Sequence, residues 1–241
     1  MKAKIVLMAA ALTSASIITT TTHAAEVTYN SGYSLSATSG TLDGGVPILL
    51  PQFDKSLGEL DSAIVTITGS LSAEIEVENN SSFALSLNEL LLTGSVRLLG
   101  PYTQANSPQI TMTSSTAAPL GASDGVAGSG SDYGEFTIST IEQEASEYIS
   151  GVVVTPRVPG ASGLETYIGD GNISLLAHGS GGVAYNGPVY SEGTPDFSLD
   201  TIGLKATGIA SITYNYTAVP EPASMAMMGL GGLMLLKRRR N

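Results

Sequence analysis

From Leu71 to Glu78 the chain alternates without a break: Leu71, Ala73, Ile75 and Val77 are apolar, while Ser72, Glu74, Glu76 and Glu78 are polar. A period of two places the sets on opposite faces of an extended strand, which a helix cannot do. Such a strand buries one face and wets the other, so it needs a second layer to pack against. The same pattern recurs along the chain. Ala63 to Thr68 reads as an antiparallel partner, with Gly69-Ser70 as a two-residue hairpin turn between the two strands. Phe83, Leu85 and Leu87 alternate after Asn79-Asn80, and apolar runs follow at Leu90 to Leu92 and Val96 to Leu99. Phe136 to Ile138, Val152 to Val154, Asn172 to Ala177 and Ile209 to Tyr216 are further strand candidates. Ile141, Ala145, Tyr148 and Ile149 could instead form a short amphipathic helix, with Ser139 and Glu142 spaced as a capping box. Gly121 to Gly134 and Gly179 to Gly187 read as Gly/Ser loops. Many short half-apolar strands separated by turn residues predict an all-β antiparallel β-sandwich. Jelly-roll and Ig-like strand orders both fit.

The chain has no cysteine. That excludes a disulfide framework, a thiolate zinc site, a cysteine-held iron–sulfur cluster and a Cys nucleophile. The fold must therefore stand on its core, which about 190 residues can build. The two ends are of another kind. Residues 1–24 start with Lys2 and Lys4, run through an apolar stretch from Ile5 to Leu12, and close on Thr22-His23-Ala24. This is the pattern of a secretory signal peptide, read as an N-terminal signal helix cut between Ala24 and Ala25 by signal peptidase after export through the general secretion machinery. At the other end Val219-Pro220-Glu221-Pro222 precedes an apolar segment, Ala223 to Leu236, and then Lys237-Arg238-Arg239-Arg240. The segment predicts a C-terminal hydrophobic helix of about 21 Å, short for a ~30 Å hydrocarbon core. The prolines stop any fold from running into it, and the basic tail marks the cytoplasmic side, so the tail is a transient inner-membrane anchor for a domain outside.

Between Ala25 and Val219 only Lys55, Arg97, Arg157 and Lys205 are cationic against 20 carboxylates, a net charge of −16. So acidic a domain, read as residues 25–218, repels phosphates and anionic lipid, and nucleic acid is excluded as a partner.

By residue and spacing the C-terminal tail resembles the PEP-CTERM sorting signal of Gram-negative, exopolysaccharide-producing bacteria, from Val219 to Arg240. The resemblance implies an exosortase-like enzyme that recognises Pro220-Glu221-Pro222, cuts there, and sends the domain to the cell surface or extracellular matrix. The chain is then a substrate and not an enzyme. The segment Leu50-Pro51-Gln52-Phe53-Asp54-Lys55-Ser56-Leu57-Gly58-Glu59-Leu60-Asp61 is similar to the opening of choice-of-anchor E domains, which sit ahead of interchangeable bacterial surface anchors. That resemblance implies a surface-displayed β domain in which Phe53 and Leu57 plug one end and Gly58 turns the chain into the first paired strand.

Other constellations are weaker. Gly121-Ala122-Ser123-Asp124-Gly125 fits G-x-S-x-G, with Asp170 and His178 following in hydrolase order, but it lies in a Gly-rich loop where the nucleophile needs a strand-to-helix elbow. His178 is the one His of the mature chain, so a multi-histidine metal site is excluded. Glu74, Glu76 and Glu78 line one strand face, read as a solvated face that keeps the sheet from pairing edge to edge; the alternative is a Ca²⁺ or cationic-glycan face. Gly128 to Asp132 resembles half of one calcium-binding nonapeptide turn, where a β-roll needs stacked copies. No phosphate-cradling glycine motif occurs, and no cofactor or resident metal is implied. The sequence thus predicts a non-enzymatic exported surface protein. The alternative is a surface module that binds Ca²⁺ or exopolysaccharide.

Overall fold

A computed structural model describes residues 24–38, 40–100, 107–150, 163–189 and 193–219. Among the described residues nine strands follow one another: β1 (Ala24–Ala37), β2 (Thr41–Pro51), β3 (Gly58–Asn79), β4 (Leu85–Leu99), β5 (Gln109–Leu120), β6 (Tyr133–Ser139), β7 (Gln143–Ser150), β8 (Asn172–Val189) and β9 (Phe197–Ala218). Among the described residues the helical content is one 3-10 turn, Leu164–Tyr167. The expected signal helix, the hydrophobic tail helix and the Val152 to Val154 strand lie outside the described residues.

The strands form two antiparallel sheets, ordered β1-β9-β3-β6 with β7 also on β3, and β2-β8-β4-β5. β4 and β5 pair as neighbours, then β3 with β6 and β7, β2 with β8, and β1 with β9. This is one antiparallel ribbon, its tip at β4–β5 and its open end at β1–β9, rolled so that successive pairs fall in alternate sheets. The ladders β3–β9 and β4–β8 close the roll. Such connectivity is a jelly roll, with β6 and β7 sharing one lane along β3, and it decides between the two orders that the sequence left open.

The core lies between the sheets. β3 supplies Val65, Ile67, Leu71, Ile75 and Val77 from one side, and β4 supplies Leu87, Leu90, Leu92, Val96 and Leu98 from the other, all buried. Each such side chain contributes about 1.5–3 kcal/mol by leaving water.

Three local expectations are corrected. Gly69-Ser70 is not a hairpin turn: β3 runs straight through it, because Gly69 makes room for a side chain from β1. Gly179 to Gly187 is strand, within β8, because its inward glycines receive leucines from β2 beside it and from β1 and β3 of the facing sheet. Ile141 to Ile149 is not a helix: Gln143–Ser150 is β7, hydrogen-bonded along the side of β3 opposite β9. An open ladder there outweighs the marginal stability of a two-turn helix. Gly121 to Asp132 is a loop, as its glycines predict.

Candidate functional site

The C-terminal end of the fold is built at the close of β9. Its last residues are held on both sides: Thr217 pairs with Ala24 of β1 and Glu59 of β3, Tyr216 with Ala25 and Leu60, and Ala218 with Gly58. Gly58 is needed there because a Cβ would collide with the Thr217 carbonyl. A register shift at Asp61 lets its carboxylate accept a hydrogen bond from Thr217 Oγ1 at 3.0 Å. Beneath this stem Phe53, buried, packs its ring 5.7 Å from Tyr214 and 5.1 Å from Tyr216, and the Tyr214 hydroxyl donates to the Pro51 carbonyl at 2.9 Å. Leu57, expected to plug the same end, is 37% exposed: it sits in the turn closed by its own N–H on the Asp54 carbonyl, so its side chain faces water. Gly58 opens the third strand of the chain and not the first paired one. The Ser56 N–H, 2.8 Å from Asp54 Oδ1, holds that carboxyl below its ordinary range. Beyond Ala218, Val219 is 61% exposed. Pro220, Glu221 and Pro222 and the basic residues Lys237 to Arg240 lie outside the described residues.

Glu74, Glu76 and Glu78 do share the outer face of β3. β3 is a central strand, however, with β9 on one side and β6 and β7 on the other, so these charges do not guard an edge. Glu76 lies between Asp200 of β9 and Glu135 of β6, three carboxylates in a cross-strand row. Tyr133 tempers that row: its hydroxyl donates to Glu135 Oε1 at 3.1 Å. Desolvation first, then the Glu135 and Glu76 carboxylates, push its pKa up to about 12.

Ser123, Asp170 and His178 are not brought together. The Ser123 N–H donates to the Ser81 carbonyl, near the Leu120–Leu85 end of β4, and its Oγ accepts from Gly125. His178 lies opposite Arg97, a dozen residues or about 40 Å along β4. It faces Asp43 at 3.6 Å on the outside of the sheet. Asp170 lies beyond Asn172, farther still from Ser123. Among the described residues no three His, Asp or Glu side chains converge as metal ligands.

The sheet thus ends at Ala218, and the residues beyond it carry a separate signal. Residues 218–241 match the PEP-CTERM protein-sorting motif. The motif marks an exported protein, held in the membrane transiently and processed by an exosortase-type enzyme before release. No curated protein matches the chain. Among solved structures it is similar to the infectious bursal disease virus Gt strain (15% identity, 91% of this chain and 50% of that one, TM-score 0.13). It is also similar to the Gx strain of that virus (15% identity, 90% and 50%, TM-score 0.14) and to its VP2 subviral particle (13% identity, 90% and 50%, TM-score 0.13). The chain spans about half the length of the solved chains it matches.

Sequence reasoning finds the PEP-CTERM motif and overlooks the stem that precedes it. The alternation of Tyr214 and Tyr216 is visible in the sequence, but which strands flank them is a long-range fact. Asn79 likewise reads there only as a loop signal. It is buried, and its side chain donates to the carbonyls of Phe83 and Gly121 and accepts from the Ser81 N–H, fastening three segments. A glycosylation sequon covers the same residue, a signal that points the wrong way.

Proposed function

We propose that the chain is a non-enzymatic surface or extracellular-matrix protein whose jelly roll is the displayed part and whose PEP-CTERM tail is the address. Signal peptidase cuts between Ala24 and Ala25. An exosortase-type enzyme of a Gram-negative inner membrane then recognises Pro220-Glu221-Pro222. The similarity of Leu50 to Asp61 to choice-of-anchor E domains supports surface display, and the separation of Ser123, Asp170 and His178 supports a role without catalysis.

One observation carries the sorting reading: the last ladder residue, Ala218, is also the first residue of the sorting motif. A folded sheet would hide a recognition sequence, since its backbone groups are already paired. Here Val219 is the first free residue, and prolines at 220 and 222 cannot join the ladder. The test replaces Pro220, Glu221 and Pro222 together with alanine in the native host. The expected result is a full-length chain retained in the membrane fraction; a secreted, shortened chain of unchanged mass would overturn the reading.

A further inference from the structure

We propose that the loop between β5 and β6, Gly121 to Asp132, is a calcium site built on the carboxylates of Asp124 and Asp132. Asp132 is 0% exposed, yet its Oδ1 has no hydrogen-bond partner. Its other oxygen accepts from the Asp124 N–H at 3.0 Å. Asp124 itself spends Oδ1 on the Val126 N–H at 2.8 Å, which leaves Oδ2. The two remaining oxygens converge over the Cα of Gly130. A Cβ built there would lie 2.6 Å from Asp132 Oδ1 and collide with Asp124 Oδ2. Gly130 also has φ +89°, so no other residue is comfortable at the position.

Two anionic oxygens aimed at one space are unfavourable unless something positive stands between them, and a buried carboxylate oxygen left without a donor is costly. No basic side chain among the described residues serves. Lys55 precedes β3 at its other end, Arg97 lies opposite His178, and Lys205 lies opposite Ser72. A water bridging the pair would satisfy hydrogen bonding and leave both charges uncompensated. The surroundings deepen the negative potential: Glu78 Oε1 accepts from the Gly128 N–H at 3.2 Å, and the row of Glu76, Asp200 and Glu135 lies at the same end of β3.

The donor set is oxygen only, which selects a hard cation over zinc or copper. Calcium takes six to eight oxygens in a flexible geometry, so two carboxylates with carbonyls of a Gly-rich loop and water suffice, whereas magnesium demands a near-ideal octahedron. With only two carboxylates the affinity belongs to the extracellular range, about 0.1–1 mM. The site sits at the Asn79 end of β3, opposite the Gly58–Ala218 stem, and is independent of the sorting reading.

The test strips the purified full chain with EDTA and titrates it with CaCl2 alone, read by calorimetry and by melting temperature. One saturable site and a rise in Tm are expected, with Asp124→Asn and Asp132→Asn each weakening affinity more than tenfold and Glu76→Gln leaving it within about twofold. Should Asp132→Asn fail to fold, Asp124→Asn decides, because Asp124 is exposed and needed by no core contact. The proposal is overturned by no saturation up to about 10 mM, tenfold above the weakest affinity expected. It is equally overturned by binding that survives Asp124→Asn, by loss in Glu76→Gln, or by equal affinity for MgCl2.

Discussion

Tyr33 shows how one residue can set the conformation of two strands. It pairs with Gly208 of β9, which pairs in turn with Gly69 of β3. With both glycines bare, the ring lies across them and its hydroxyl donates to the Thr68 carbonyl at 2.9 Å. A Cβ at Gly69 would collide with the Tyr33 hydroxyl, and one at Gly208 would collide with the Thr68 carbonyl. A glycine inside an alternating run therefore marks a close approach here and not a turn, and the sequence alone cannot tell the two apart because the residue that fills the space lies some 35 positions away. Burial first, with the charge of Glu142 adding, pushes the Tyr33 pKa up to about 12 from its ordinary 10.0. The folded chain thus keeps this proton where the unfolded chain has lost it. The stabilising contribution is complete below about pH 10 and is lost as pH rises through about 12. Chemical denaturation at several alkaline pH values should show stability falling across this window, and Tyr33→Phe should flatten the fall while costing about 1 kcal/mol at neutral pH for the lost hydrogen bond. An unchanged alkaline slope in Tyr33→Phe would show that other groups govern it.

At the scale of elements, legibility depends on how much of each strand's signal is local. β3 is legible from Leu71 to Glu78, since its two faces alternate and both are decided by burial. β8 is only half legible, because glycines from Gly179 onward give no periodicity to read. Their reason lies on other strands. A Cβ at Gly179 would meet Leu35 and Leu42 at 2.7 and 3.1 Å, and Gly181, paired with Gly94 of β4, makes a shallow seat for Leu71. At Gly94 the added Cβ would lie 2.7 Å from Leu71 Cδ2 and 2.9 Å from the Ser180 carbonyl. Edge strand β2 tolerates Pro47 because its outer side needs no donor, another feature invisible until the sheet order is known. The seat makes a quantitative prediction. Leu71→Ala should cost about 2–5 kcal/mol by leaving a cavity, and Gly94→Ala about 1–3 kcal/mol by overpacking. The double variant should lose about 1 kcal/mol less than the sum, because each change relieves part of the other. Strict additivity in urea melts would mean that the two residues do not share this space.

For the whole molecule, the sorting address is fully legible because it is read as a short sequence and needs no tertiary partner, while the jelly-roll order is not, since it rests on pairings such as β1 with β9 that join opposite ends of the chain. That last pairing has a consequence for a domain handled by its termini. β1 and β9 run in register from Ala24↔Thr217 to Ala37↔Leu204, so the first and last strands form one ladder, and the residue before the sorting motif is fixed to the residue at which export processing is predicted. Thr28 and Thr213 lie directly opposite one another, with their hydroxyls 2.8 Å apart on the outer face. Cross-strand pairs have Cα separations of about 4.5–5.5 Å, within the reach of a disulfide. In a chain without cysteine, Thr28→Cys with Thr213→Cys should cross-link spontaneously in the oxidising space outside the inner membrane, with no competing thiol. Closing nearly the whole domain into one loop should raise stability by about 2–5 kcal/mol, seen as a higher Tm that reductant abolishes. Processing of the tail should proceed unchanged, since the bond lies within the sheet and the motif begins where the sheet stops. Failure of the pair to oxidise would contradict the β1–β9 register, and a cross-linked chain that is no longer cut would mean that the processing enzyme must open the stem before it can act.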